Sequence, residues 1–462
     1  ESARLITNIW FLLVLLIFLW VASTSYQPSI VYLGLILVGV NLTLFAFSRL
    51  AIFEIPITFF LLLALLTLRQ LFADHPLTSL ALVMSCLIVG AFGIKASTVL
   101  YFVPVTAAIG LVLLLHLPNR IYRFTILTGS AVLMGALLVF FFDFWAPRLD
   151  LNIGRITKGF LSGPISWAHP LTATAAFLAI GQGLYDDWRG FLETPYRASL
   201  LALCIGGPFL LSLFSYNPLR YCVPLLPVFT LLILEWLQLG KQEPQPRSSG
   251  RILGRIASSG ALFLALVALL LASNRLVLGW VIPEQHALPP YVAPLRFTQI
   301  FLIALAATVA IALTPARKVV FRRSVATSVV VLALTVGLLV DATAISLHIA
   351  EPDTERARIS RELESLLPIG ASLGGEWAPV FAIGTELRSL YMNKTFNAPL
   401  RARLVRPDYL LVSDTLGMRD YRRSLEADPT VSVGGPIYES EYKDRRIFVH
   451  PLSYRGETEM DR

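Results

Sequence analysis

Cysteine is nearly absent from this chain. There are three in 462 residues, Cys86, Cys204 and Cys222, and each sits inside an apolar run. That excludes a disulfide framework and a thiolate metal site, because lone buried cysteines behave as small hydrophobes. Charge is scarce as well, at 15% of residues, and the six His show no metal-ligand spacing. No Gly-rich phosphate loop, nucleophile elbow or His-Glu-x-x-His segment is present. The chemistries that those motifs carry are thereby excluded. No internal repeat is visible, and the one low-complexity stretch is a Pro/Gln/Ser-rich linker at 243–249.

What is present is hydrocarbon. At 56% hydrophobic residues, the chain reads as an α-helical polytopic membrane protein. A net charge of +8 looks like a nucleic-acid signal only until the charges are placed. Most basic clusters fall in short loops between apolar runs, which is the positive-inside pattern, so no nucleic-acid partner is implied.

Runs long enough to span, or nearly so, are Leu5–Ala22, Pro28–Phe47, Ile57–Phe72, Leu77–Ile94, Thr98–His116 and Tyr122–Phe144. They continue with Leu171–Leu184, Arg197–Phe214, Tyr221–Leu239, Ala257–Val281, Phe297–Thr314 and Ser324–Leu347. A membrane helix needs about 20 residues, so 171–184 is the shortest fit: a tilted span, or a re-entrant helix. The expectation is about 12 spans.

Lys and Arg set the orientation. The linker 240–255 holds Lys241, Arg247, Arg251 and Arg255, and the turn 315–323 holds Arg317, Lys318, Arg322 and Arg323. Both belong in the cytoplasm, while 283–294, without Lys or Arg, belongs outside. Counting backwards puts 48–56, 95–97, 145–170 and 215–220 outside, and 117–121 and 185–196 inside. The Asp186-Asp187 pair then reads as a solvated cytoplasmic loop. The start of the chain also falls outside, so one further helix upstream is expected, about 13 in all.

From about Glu351 charges become frequent and no span follows. The expected division is a multi-span domain at 1–349 and a small extracytoplasmic α/β domain at 350–462. Glu355–Leu367 has helical spacing, Tyr409–Val412 reads as a buried strand, Met418–Leu425 as a helix, and Val431–Val449 as a strand pair or bent strand.

The charged segment Ser48-Arg49-Leu50-Ala51-Ile52-Phe53-Glu54-Ile55-Pro56 lies between two long apolar runs. Ionic groups there cost about 2.5–3.5 kcal/mol each at a bilayer centre, so they persist at an interface or around a polar site. Lys95 ends an apolar run and Arg220-Tyr221 starts another, on the same expected outer side. Such cations are commonly snorkelling anchors. Gathered with a carboxylate, they also suit holding a phosphate, while the carboxylate orients a partner or acts as base. The loop 145–170, with Trp145, Phe160, Trp167, Arg148, Asp150, Arg155 and Lys158, reads as an interfacial segment or as a cavity wall. Gly206-Gly207-Pro208 within a run reads as a kink or close helix contact.

These segments resemble a family. Ser48 to Glu54 is similar to the "SR-x-A-x-x-D/E" segment of membrane-integral GT-C glycosyltransferases, the protein O-mannosyltransferases and the bacterial lipid A aminoarabinose transferases. Ile94-Lys95-Ala96-Ser97 resembles the family's Lys segment, and Arg220-Tyr221-Cys222-Val223-Pro224-Leu225-Leu226-Pro227 its "R/K-Y-x-x-P-x-x-P". Ala3-Arg4-Leu5 is similar to the "ARL" that opens the second helix, and Gly374-Gly375-Glu376-Trp377-Ala378 to a strand-to-helix turn in the tail of bacterial members. The resemblance implies sugar transfer from a polyprenyl-phosphate donor to a lipid, glycan or protein acceptor, in the plasma (inner) membrane with chemistry on its outer face. It assigns Arg49, Lys95, Arg220 and Tyr221 to donor phosphate binding and Glu54 to a carboxylate role, where the family often has Asp. It places the principal catalytic Asp in an outer loop upstream of Glu1. No cofactor can be named; a divalent metal is compatible with this chemistry, and no ligand set for one is visible.

A secondary transporter or a flippase of lipid-linked glycans is the alternative. Transporters favour internal repeats and polar groups at the midplane. Here the charges sit near run ends, with Arg275 and Asp341 as the nearest exceptions. An O-antigen polymerase or ligase is weaker still, since a tail domain stands where a large late loop would be.

Overall fold

The computed structural model describes residues 2–41, 43–44, 53–116, 128–129, 131–132, 134–137, 139–140, 152–154, 156, 160, 169–191, 194–214, 219–239, 251–276, 297–350, 354–375, 377–382, 385–392, 402, 404–414, 422–423, 425–442 and 445–454. The chain divides into two compact units, Glu1–Ser346 and Leu347–Arg462.

The first unit is helical: α1 (Ser2–Ser23), α2 (Pro28–Gly39), α3 (Glu54–Gln70), α4 (Pro76–Gly93), α5 (Thr98–His116), α6 (Pro170–Phe191) and α7 (Pro195–Ser212). A 3-10 turn at Leu219–Leu225 then leads into α8 (Leu226–Leu239), followed by α9 (Arg251–Leu276), α10 (Phe297–Leu313), the short α11 (Ala316–Val320) and α12 (Arg323–Ala350). Among the described residues, five segments are long and apolar enough to cross a membrane: Leu5–Ser23, Pro76–Gly93, Tyr221–Leu239, Gly254–Asn274 and Arg323–Ser346. Shorter apolar helices add Pro28–Gly39, Thr98–Val112 and Thr298–Leu313. This is the build of a multi-pass membrane protein. The run Tyr122–Phe144 lies mostly outside the described residues.

Helix α8 is the axis of the unit. Every residue from Leu226 to Trp236 is buried, which a helix apolar all round permits only at the centre of a bundle. Around it α6 packs on α9, α5 on α7, and α1 on α3. Gly206 meets Pro104 of α5, and Gly207 lies against Leu225, so the Gly-Gly-Pro stretch is a close helix contact and α7 continues through Pro208.

Two expectations are corrected. The apolar run Pro28–Phe47 is not one helix: α2 stops at Gly39, and Asn41 Oδ1 accepts from the Leu44 N–H to start a new turn. The cause is local, because an Asn side chain competes with the helix ladder for backbone groups. The run Leu171–Leu184, expected as a tilted span or a re-entrant helix, lies within a 22-residue helix, Pro170–Phe191. That helix carries Asp186, so the acidic pair belongs to its last turns and not to a loop.

The second unit is a small α/β fold: α13 (Thr354–Leu366), β1 (Ser372–Gly375), α14 (Ala378–Phe381), β2 (Arg388–Tyr391), β3 (Tyr409–Ser413), β4 (Val431–Val433), β5 (Tyr438–Tyr442) and β6 (Arg445–Tyr454). The sheet order is β2-β1-β3-β6-β4, with β5 also on β6. β1 runs parallel to β2 and β3, and β6 is antiparallel to β3, β4 and β5. Ile359 and Leu363 from α13 and Leu367 just past its end pack with Phe381, Leu411 and Val449 in one core. The stretch Met418–Leu425 falls largely outside the described residues.

Candidate functional site

The site grows from two helix ends. Helix α3 opens with Glu54, and the carboxylate faces the positive end of the helix dipole. Helix α4 ends at Gly93, where the N–H groups of Ile94 and Lys95 both return to the Gly90 carbonyl, at 3.2 and 2.9 Å. Lys95 thus stands at a negative helix end. Gly90 makes this turn possible: a Cβ there would lie 2.6 Å from the Thr98 side chain at the start of α5.

Lys95 Nζ donates to Glu54 Oε1 at 2.6 Å, and Glu54 is 1% exposed. The same ammonium lies 4.7 Å from the Tyr221 ring centroid, a cation–π contact of about 0.5–2 kcal/mol. Tyr101, itself buried, donates to the Tyr221 carbonyl at 2.7 Å and ties the 3-10 turn to α5. Glu54, Lys95 and Tyr221 therefore form one cluster. Arg220 precedes Tyr221 in that turn, with its side chain outside the described residues, and Arg49 lies outside them altogether.

A second cluster was marked in the sequence by one of its members alone. His169, just before α6, meets Asn41, Thr43 and Asp341. Asn41 Oδ1 is taken by the Leu44 N–H at 3.0 Å, so its Nδ2 faces His169 Nδ1 at 3.3 Å. An amide donor at Nδ1 leaves the proton of a neutral imidazole on Nε2, directed at Thr43 Oγ1. Asp341 Oδ2 is 3.8 Å from Nδ1. Only Asp341 carried a signal, as a carboxylate inside an apolar run.

The other end of the bundle holds a third group. Glu235 accepts from Arg69 at 3.1 and 3.3 Å and from Arg197 Nε at 2.6 Å. The Arg69 guanidinium lies 5.0 Å from the Tyr196 ring, whose hydroxyl bonds that of Tyr26 at 2.9 Å. Nearby, Trp236 donates to Gln182, which reaches Asp186, and Arg323 stacks on Trp236. Glu54 and Arg69 sit at opposite ends of α3, about 22 Å apart at 1.5 Å per residue. These contacts group helix ends as a strict alternation of direction requires. Tyr26, Arg69, Asp186, Arg197, Glu235 and Arg323 gather at one end, all loop-proximal residues of one expected side.

Among the described residues no group of three or more His, Cys, Asp or Glu is placed to hold a metal ion. The three cysteines are free and buried.

No family model matches the chain, and no curated protein matches it. Two solved structures are similar to it, both of ArnT from Cupriavidus metallidurans, one in the apo state and one bound to undecaprenyl phosphate. Each aligns at 16% identity over 97% of this chain and 83% of the other, with TM-scores of 0.46 and 0.48.

Proposed function

We propose that the chain is a glycosyltransferase that moves a hexosyl or pentosyl group from a polyprenyl-phosphate donor to an acceptor hydroxyl on a lipid, glycan or protein. The reaction takes place at the outer face of the plasma (inner) membrane, with the C-terminal unit on that side. What carries this reading is the buried Glu54–Lys95 pair stacked on Tyr221. A carboxylate and an ammonium sharing one proton-rich contact are poised for an anionic leaving group and a hydroxyl nucleophile together.

The ammonium has three donors and spends one on Glu54. A phosphate arriving beside Arg220 gives Lys95 a second anion to bond, and Glu54 is partly released to accept a proton from, or orient, the acceptor hydroxyl. As the glycosidic bond breaks, charge builds on the phosphate oxygen, and Lys95 with Arg49 and Arg220 stabilises it. The acceptor oxygen bonds the anomeric carbon, its proton passes to carboxylate, and polyprenyl phosphate leaves.

The test is transfer from radiolabelled polyprenyl-phosphate sugars in proteoliposomes. Lys95→Ala and Arg220→Ala should lower the rate by about 10²–10³, and Arg220→Lys should recover part, since Lys lacks the bidentate fork. Wild-type turnover in both alanine variants would make these residues interface anchors and sink the proposal.

A further inference from the structure

We infer that the C-terminal unit carries a saccharide-binding pocket at the carboxyl end of β3. In open sheets with parallel strands, ligands collect in the crevice beyond the carboxyl ends of those strands. Here β3 ends at Ser413, parallel to β1 and at its far side antiparallel to β6. A cavity of about 350 Å³ opens there, lined by Val412, Ser413, Asp414, Arg422, Arg423, Glu426 and Phe448. That volume falls within the range of small-molecule sites, roughly 300–1,000 Å³.

The pocket is built. The Asp414 backbone N–H is pinned to the Arg446 carbonyl at 2.9 Å. Its carboxylate oxygen Oδ1 is buried and has no hydrogen-bond partner among the described residues. A buried acceptor without a donor costs stability, so this carboxylate is held in place by the surrounding fold. Arg422 is held rather than loose: Nε donates to Glu426 at 2.7 Å, and Nη1 reaches Nε2 of the buried His450 at 3.2 Å. His450 is fixed in turn by its Nδ1–H to the Gly434 carbonyl at 2.9 Å. Arg423 stands exposed at the rim.

The donor and acceptor pattern chooses the ligand. Two guanidiniums face two carboxylates, so the formal charge of the lining is zero. A phosphate dianion brings acceptors alone and offers the carboxylates of this neutral lining no donor. A neutral polyol offers hydroxyl donors to the carboxylates that line the cavity and takes guanidinium donors on its other oxygens. The half-buried Phe448 ring gives its carbon face an apolar wall. A sugar ring, with alternating hydroxyl and C–H faces, fits this set.

The experiment is saturation-transfer NMR on the full chain in nanodiscs, with methyl glycosides of mannose, glucose, galactose and N-acetylglucosamine as probes. At least one should receive saturation. Asp414→Ala should weaken it about 10-fold, with Phe448→Leu weakening it less, and Asp414→Asn separates charge from shape if the alanine variant does not fold. No transfer to any glycoside, equal transfer in the Asp414 variants, or displacement of the glycoside by inorganic phosphate would each overturn the inference. Donor turnover is assayed in parallel. Turnover without glycoside binding refutes this pocket alone; glycoside binding without turnover refutes the proposed reaction and leaves the pocket standing.

Discussion

Lys95 and Glu54 are coupled strongly enough that their variants must be read as a cycle. The Glu54 side chain is 2% exposed and that of Lys95 21%. Replacing Lys95 by Met strands the carboxylate without its partner. Breaking a buried ion pair from one side costs about 3–5 kcal/mol. Glu54→Gln loses a charge-assisted bond of about 1.5–3 kcal/mol, less because the ammonium still reaches water. With both replaced, no charge is stranded, and a neutral isosteric pair is often close to the parent, here within about 1–2 kcal/mol. The coupling is then at least about 2.5 kcal/mol, measurable from SDS unfolding midpoints in mixed micelles. Transfer rates follow a different pattern: the singles lose about 10²-fold or more, and the double variant stays equally inactive. Stability returns while activity does not. Singles that simply add, within about 0.5 kcal/mol, would mean the pair is screened by water. Activity recovering along with stability would mean that the pair only holds α3 to α4.

Glu235→Gln should destabilise the helical unit by about 3–5 kcal/mol, because Arg69 and Arg197 are left facing each other; the same SDS titration reads it, and Glu235→Gln combined with Arg197→Gln should recover part. Gly375→Ala should destabilise the C-terminal unit by about 2–4 kcal/mol, since φ is 150° and the new Cβ would fall 2.1 Å from the Leu411 carbonyl oxygen; limited proteolysis of that unit is the readout. Burial holds the His450 imidazole below its ordinary value, with Arg422 beside it adding to the effect and the Gly434 carbonyl opposing it. A depressed value means stability present above about 6.5, the unfolded value, and lost as pH falls through the folded one. The proteolysis midpoint should therefore drop as pH falls below about 6.5, and His450→Gln should flatten that slope.

The apolar runs were legible because a helix in hydrocarbon must be apolar over its length, and α4, α5 and α10 begin and end within a few residues of their runs. The same rule failed at Asn41, where one polar side chain in an apolar run ended α2 early. Strand β3 was legible as an unbroken apolar stretch, while β2, with Arg388 and Ser389, carries no such pattern and takes its place from pairing with β1. Lys95 and Glu54 could be suspected separately from their places at run ends. That they touch could not, since 41 positions separate them. The Glu235 cluster was farther from reach. Its partners lie 166 and 38 positions away, on two different helices, and nothing local marks a carboxylate as shared.

The two ends of the bundle differ in how their charges meet the helix dipoles, and this decides which of them can exchange partners. Glu54 stands in the first turn of α3 and Lys95 just past the end of α4, so both are favoured by their own helices before they pair. At the opposite end only Arg69 is so placed. Arg197 lies in the first turn of α7, against its dipole, and Glu235 lies just before the last turn of α8, where the dipole gives it no support. Glu235 is bonded directly to both Arg197 and Arg69, and separating it from them removes those bonds with no help from its own helix dipole. Lys95 and Glu54 keep about 0.3–1 kcal/mol each of dipole stabilisation when apart. An arriving phosphate can therefore draw on Lys95 at lower cost than it could on an ion set against its own helix dipole, which is the property the proposed transfer reaction asks of its site.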